Sequence, residues 1–209
     1  MSSHSAAATT APSLEPDAVT PIGIDLGEKR LVAAAPADAD PEDAFIVDGE
    51  PLRERLNTLV ETIRMLQAAE FDTTTGEAQA FAALYAPVKA LLCDAAAQVV
   101  RYAGEFATPL LVLEDLNYPG ESLWERRTAG EMGAWLLPAL QKAITEVALD
   151  TGLPVSYVDP KYTSQACHVC EQLCHLRDEV AVCTTDDCPV ERVCRDCNAA
   201  VNIANRAIR

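Results

Sequence analysis

Two groups of side chains in this 209-residue sequence could do chemistry: three carboxylates set against apolar runs, and eight cysteines, seven of them between positions 167 and 197. Asp25 lies in PIGIDLG (21–27) between Ile24 and Leu26. On a strand its side chain points to the face opposite theirs, and Gly27 lets a backbone or ligand approach closely. Glu114 follows Leu111, Val112 and Leu113 in PLLVLEDL (109–116). A carboxylate at the end of an apolar strand is costly unless it is paired, hydrogen-bonded or bound to a cation. Asp196 stands just before NAAVNI, at the start of a last helix. If the three converge, they make a hard, all-oxygen site suited to Mg2+ or Mn2+, the kind that two-metal phosphodiester hydrolysis needs. Taken singly, each has a plainer role: Asp25 in a turn, Glu114 at a solvated strand end, Asp196 as a helix N-cap. Asp115 and Asp159 are rivals, but alternation turns Asp115 away from the face that Glu114 uses.

Among the cysteines, Cys167 and Cys170 form a CxxC knuckle with the spacing of half a tetrahedral Zn2+ site. Two pairs compete for the other half. Cys194 and Cys197 give a second CxxC, which spacing alone favours, while Cys183 and Cys188 give a wider CTTDDC knuckle. Asp196 lies inside CRDC, and a turn clamped on zinc would struggle to deliver that carboxylate to a second metal. A thioredoxin-type reading of CHVC is disfavoured, because PKYTSQA separates it from the preceding strand. Cys93, alone on a helix, reads as a small core residue.

The positioning elements follow from periodicity. PIGIDLG (21–27), RLVAAA (30–35) and Phe45 to Val47 read as three strands, with a polar loop at 36–43. Leu52, Leu56, Leu59, Val60, Ile63 and Leu66 mark an amphipathic helix starting at Pro51. DTTTGE (72–77) breaks it, and a second helix runs from Ala78 through Leu92, bent or restarted at Pro87. A strand at 109–116, the loop NYPGES, a helix from Met132 through Val147 with a kink at Pro138, and a strand at 153–159 follow. The cysteine-rich segment and a helix at 198–208 complete the chain. The predicted class is α/β, in the element order of an RNase H-like domain: a mixed sheet with helices plus a small cysteine-rich insert. The divisions are a disordered tail (1–20), a core (21–165), an insert (166–193) and a last motif with its helix (194–209).

Lys and Arg total 16 against 32 Asp and Glu, a formal charge of −16, which taken alone would repel a nucleic-acid backbone. Only four of the basic residues are lysines, and the chain is rich in alanine. Such a surface suits a cytosol of very high salt, where the Debye length falls to about 3 Å and exposed charges barely repel. The charge is therefore read as a sign of habitat. No secretory signal or membrane span is expected, and a reducing, cytoplasmic compartment favours metal-bound cysteines over disulfides.

GIDLGEKRLVAAA, then LVLEDLN, then VDPKYTSQACHVC with RDCNAAVNIANR, resemble in order the three RuvC motifs and the zinc ribbon of the transposon-encoded TnpB/OrfB proteins, relatives of the type V CRISPR effectors. The resemblance spans roughly residues 21–209. It implies an RNase H-fold, metal-dependent DNA endonuclease directed by guide RNA, with Asp25, Glu114 and Asp196 as the catalytic acids on Mg2+ or Mn2+. It also places the second zinc pair ahead of the RDxNAA motif, giving Cys167, Cys170, Cys183 and Cys188 as structural Zn2+ ligands. Cys174, Cys194, Cys197, His168 and His175 become bystanders or alternates.

In that family an N-terminal half that grips RNA and reads a duplex motif precedes the nuclease half. Here about twenty residues precede the first strand, so a separately encoded partner protein is expected to supply that half. DNA and guide RNA are the implied partners, contacted by Lys29, Arg30, Arg126, Arg127, Lys161, Arg192 and Arg195. Three functions compete: an endonuclease, a catalytically silent zinc-containing module that binds nucleic acid or protein, and a decayed remnant of a mobile element.

Overall fold

The structure is a computed structural model that describes residues 19–68, 74–116 and 133–208. Most of the expected N-terminal tail, the break at 72–73, the loop NYPGES, Met132, Arg126 and Arg127 lie outside those residues. Strands β1 (Thr20–Leu26), β2 (Arg30–Pro36) and β3 (Phe45–Asp48) form an antiparallel meander. Helices α1 (Glu50–Ala68) and α2 (Thr74–Ala103) lead to β4 (Pro109–Glu114), and α3 (Gly133–Asp150) leads to β5 (Val155–Val158). The order β3-β2-β1-β4-β5, with β1, β4 and β5 parallel, is the RNase H-like arrangement. A second sheet, β6 (His175–Arg177), β7 (Val180–Val182) and β8 (Arg192–Cys194), is antiparallel and runs directly into α4 (Arg195–Arg206).

Strand alternation divides the large sheet into two unlike faces. Ile22, Ile24, Leu111 and Leu113 meet Leu52 and Leu56 of α1, Val88, Leu92 and Val99 of α2, and Leu140 and Ile144 of α3 in one buried cluster. Each fully buried side chain of this kind contributes roughly 1.5–3 kcal/mol over leaving it exposed. The other face is built of small residues: Ala33 and Ala35 pack against Ala200 and Val201 of α4. Gly23 lies on that face too, and a Cβ placed there would meet the Ala200 carbonyl oxygen at 2.0 Å. Only glycine permits so close an approach.

Several elements depart from expectation. α2 begins at Thr74, so residues 74–77 are helical, and it runs unbroken through Pro87 for 30 residues. Its buried face, including Val88, Leu92, Ala95 and Val99, holds the helix against the sheet across the hydrogen bond that proline cannot make. Ala82–Ala103 within it is long and apolar enough to cross a membrane by length and composition, and one face of it, including Val88, Leu92, Ala96 and Val100, packs into the core. The last helix starts at Arg195 with Cys194 as its N-cap, which places Asp196 in the first turn and rules out the N-cap role for it.

Candidate active site

β1 and β4 are parallel neighbours in the register Gly23↔Val112 and Ile24↔Leu113. One step further sets Asp25 beside Glu114 across a strand spacing of about 4.8 Å. Both carboxylates point to the face that α4 covers, since Asp25 follows Gly23 by two. Along β1 two residues advance about 6.6 Å, and along α4 four residues span about 6 Å. Asp196, four residues before Ala200, is thereby carried to the end of the sheet where Asp25 lies. The electrostatics agree with that convergence. Burial holds the Asp25 carboxyl well above the ordinary carboxylate range, and the negative charges of Glu114 and then Asp196 push it further in the same direction. Glu114 is also raised, by burial, against opposing help from Thr163 and Arg206.

A polar frame that the sequence reading missed fixes these groups. The Thr163 hydroxyl donates to Glu114 Oε1, and Gln141 Nε2 donates to the Glu114 carbonyl at 3.0 Å. Asn202 on α4 donates from Nδ2 to the carbonyls of Thr163 at 2.8 Å and Ala166 at 2.7 Å. Asn198, one turn earlier, donates to the Ala166 carbonyl at 2.7 Å and accepts from the His168 N–H at 3.0 Å. Both asparagines are buried. Arg206 donates to the carbonyls of Asp159 and, at 2.6 Å, of Lys161. Segment 159–168 is thus stitched to α4, and with it the threonine that orients Glu114. Asparagines four apart in NAAVN were the available signal, because buried amides must find partners.

Asp196 is buried with both oxygens engaged: Oδ2 with Arg30 Nη1 at 3.3 Å and Oδ1 with Arg195 Nε at 2.9 Å. Arg30 also pairs with Glu179 at 3.2 Å, as does the exposed Lys29 at 2.8 Å. The β2–β3 register shifts between Arg30 and Val32, beside the side chain that reaches Asp196. Of the other cations expected to meet nucleic acid, Lys161 is exposed over the Tyr162 ring and Arg192 is exposed. The rival acids stand apart: Asp115 is exposed, and Asp159 accepts from the Lys161 N–H in its own turn.

The Sγ atoms of Cys167, Cys170, Cys183 and Cys188 all lie within 4.8 Å of one another. Cys167 and Cys188 are 3.8 Å apart, and Cys170 and Cys183 are 3.6 Å apart. Four thiolates at about 2.3 Å from a tetrahedral Zn2+ would be about 3.8 Å apart, so this donor set fits zinc in both chemistry and size. The three carboxylates do not form so tight a set. A pair of ions about 4 Å apart asks for a wider arrangement than one ion does. Cys174 sits against the tetrad, and burial with the neighbouring thiols pushes it up to about 12. Cys194 and Cys197 stand away from the tetrad: Cys194 Sγ caps α4 by accepting from the Cys197 N–H at 3.3 Å. The Cys197 thiol and N–H hold Cys194 down at about 6, while that contact and burial push Cys197 up.

A family profile described as Cas12f1-like, TNB domain, matches residues 139–203, from α3 through the cysteine cluster into α4. No curated protein matches in sequence. Among solved structures, the Cas12f1–sgRNA–target DNA complex superposes with a TM-score of 0.65 at 16% identity, over 94% of this chain and 52% of that one. A CRISPR-Cas12f ternary complex gives 0.64 at 18%, over 98% and 41%. The mini-RNA-guided endonuclease CRISPR-Cas_phi3 gives 0.56 at 16%, over 91% and 45%. The chain spans about half the length of these proteins or less, and at such identities the likeness is one of fold. In that fold, and in its TNB segment, the chain is similar to the TnpB and type V effector proteins.

Proposed function

We propose that this chain is a RuvC-type, divalent-metal-dependent DNA endonuclease that works with a guide RNA, the recognition of guide and target falling to polypeptide outside these 209 residues. Asp25, Glu114 and Asp196 are its metal-binding acids, and Cys167, Cys170, Cys183 and Cys188 hold a structural Zn2+. The observation that carries this reading is Asp25, a half-buried carboxylate next after the paired Ile24↔Leu113 rung, so beside Glu114, with the like charges of Glu114 and Asp196 both acting on it. Such a group is costly without a cation. Bound at the three acids, divalent cations would supply Lewis acidity to the attacking water and to the leaving oxygen.

The chain's own part is to hold the acids in place and balance their charge. Thr163 fixes the Glu114 carboxylate, the Asn202 amide ties the Thr163 carbonyl to the helix that bears Asp196, and the Asn198 amide ties Ala166 to the same helix. Arg30 and Arg195 neutralise Asp196 until a strand is bound, and then exchange the carboxylate for phosphate oxygens, which guanidinium groups grip equally well. That exchange would leave the Asp196 oxygens available to hold a divalent cation with Asp25 and Glu114.

Purified zinc-loaded chain with Mn2+ at molar salt is expected to cut single-stranded or guide-paired DNA, and Asp25→Ala to abolish the cut. Folded, zinc-loaded protein that cuts no single-stranded DNA and whose melting temperature does not respond to Mn2+ would overturn the proposal. The ion pairs on both Asp196 oxygens favour a second reading, a binding module without chemistry. DNA affinity unchanged by replacing all three acids, in a chain that never cuts, would select it.

A further inference from the structure

One cysteine pair, Cys194 and Cys197, lies outside the proposed zinc set. They are not part of the tetrad, whose four sulfurs already supply the number of ligands that a structural Zn2+ takes. They stand at the N-terminus of a 12-residue helix, with Cys194 partly exposed at the N-cap and Cys197 buried one turn in. Cys194 Sγ accepts the Cys197 N–H at 3.3 Å, so the two cysteines share the first turn of the helix. The Arg30 guanidinium pairs at 3.3 Å with Asp196, two residues beyond Cys194 on the same turn. An accessible sulfur at a helix N-cap beside a cation, with a second, shielded sulfur three residues on, is the arrangement of dithiols that exchange with disulfides.

We infer that Cys194 and Cys197 form a redox-active dithiol that closes to an intramolecular disulfide by exchange with a small-molecule disulfide. Cys194 attacks one sulfur of the small disulfide, forming a mixed disulfide and displacing the first small thiolate. Cys197 then attacks Cys194 Sγ, forming the Cys194–Cys197 bond and displacing the second. Two protein thiols are oxidised, one small disulfide is reduced to two thiols, and the two protons pass to the departing thiolates. The bond that forms brackets Arg195 and Asp196, so it closes the turn that carries a proposed metal ligand. The chemistry of the pair does not depend on the nuclease reading.

Oxidised glutathione is the probe, applied to the full zinc-loaded chain, with tryptic mapping of the cysteines and zinc counted before and after. Trypsin cuts after Arg195, so the bridge appears as two peptides joined through Cys194 and Cys197. Cys197→Ser is expected to stop at one glutathione on Cys194, which dithiothreitol removes. Cys194→Ser keeps a side-chain oxygen at the N-cap, so the helix retains its cap, and it is expected to leave Cys197 unmodified. Cys93, exposed on its helix and not the core residue that the sequence predicts, is the internal standard: it has no cysteine within helical reach and can carry one glutathione but close no bridge along its helix. Reaction of Cys93 while Cys194 stays reduced, a bridge that involves Cys174, or loss of zinc in step with oxidation would each overturn the inference.

Discussion

Gly23→Ala tests whether the helix seated on β1 governs the acid site. The new methyl would stand 2.0 Å from the Ala200 carbonyl oxygen and 2.4 Å from the Ala204 nitrogen, both backbone atoms inside α4, where no side chain can swing aside. Ordinary contact begins near 3.4 Å, so α4 must retreat from β1 by about 1.4 Å. Overpacking of this kind costs about 1–3 kcal/mol. For a domain of this size each kcal/mol lowers the melting temperature by about 2–4 °C, giving a fall of about 2–12 °C. The same retreat carries Asp196 away from Asp25 and Glu114 by more than the roughly 0.5 Å that a constellation of ligands tolerates. Cleavage is therefore expected to drop by about a hundredfold, the usual result of a 1 Å misplacement. Thermal melts of zinc-loaded protein, with and without Mn2+, read the first effect, and DNA cleavage reads the second. Gly104→Ala serves as a control, because its Cβ would meet no backbone closer than 3.3 Å. Unchanged melting together with an unchanged Mn2+ response would refute this account of how α4 sets the site.

Removing the crowded charge should stabilise the metal-free protein: Asp25→Asn is expected to raise its melting temperature in EDTA by about 2–4 °C, the effect of about 1 kcal/mol, and to abolish stabilisation by Mn2+. Because burial and Glu114 raise Asp25 in the folded state, the metal-free protein binds more protons there than the unfolded chain does. Its stability should fall as pH rises from the ordinary carboxylate range through the Asp25 pKa, and Asp25→Asn should flatten that slope in pH-dependent melts. One zinc per chain is expected by elemental analysis, lost in Cys183→Ser and kept in Cys197→Ser. Asn202→Ala leaves the Thr163 carbonyl without its 2.8 Å donor and should cost about 1–3 kcal/mol in denaturant melts, with weaker Mn2+ binding as Glu114 loosens.

The positions of Asp25, Glu114 and the five large-sheet strands were legible because each sits in an apolar run whose alternation is local. Pro87 misled, since its local cost is real but is offset by the buried contacts of Val88 through Val99 on the same helix. The start of α4 was placed too late because cysteine is not a usual cap, and only coordinates reveal a thiol accepting the Cys197 N–H. Arg30 and Arg195 read as surface cations in the sequence. Their pairing with Asp196 joins residues 166 positions apart in one case and adjacent in the other, so the network carries no local pattern. The tetrad was legible only in part: spacing offered two second pairs, and the 3.6 and 3.8 Å sulfur contacts distinguish them.

These pieces meet on one helix. α4 leaves β8 at Cys194, so the small sheet beside the cysteine tetrad is covalently continuous with its N-cap. Its first turn carries Asp196, Asn198 and Asn202 bind the segment that aims Thr163 at Glu114, and Ala200 and Ala204 rest on Gly23. A helix of 12 residues is too short to hold its shape alone in water, so its position is set by what it packs against. On one side that is a sheet face trimmed to glycine and alanine, and on the other it is a cysteine-rich segment with little apolar mass of its own. Metal at the cysteines would therefore stabilise more than the small sheet: it would fix the end of α4 from which Asp196 projects. The small sheet and the carboxylates, separate in sequence motif, are mechanically one unit.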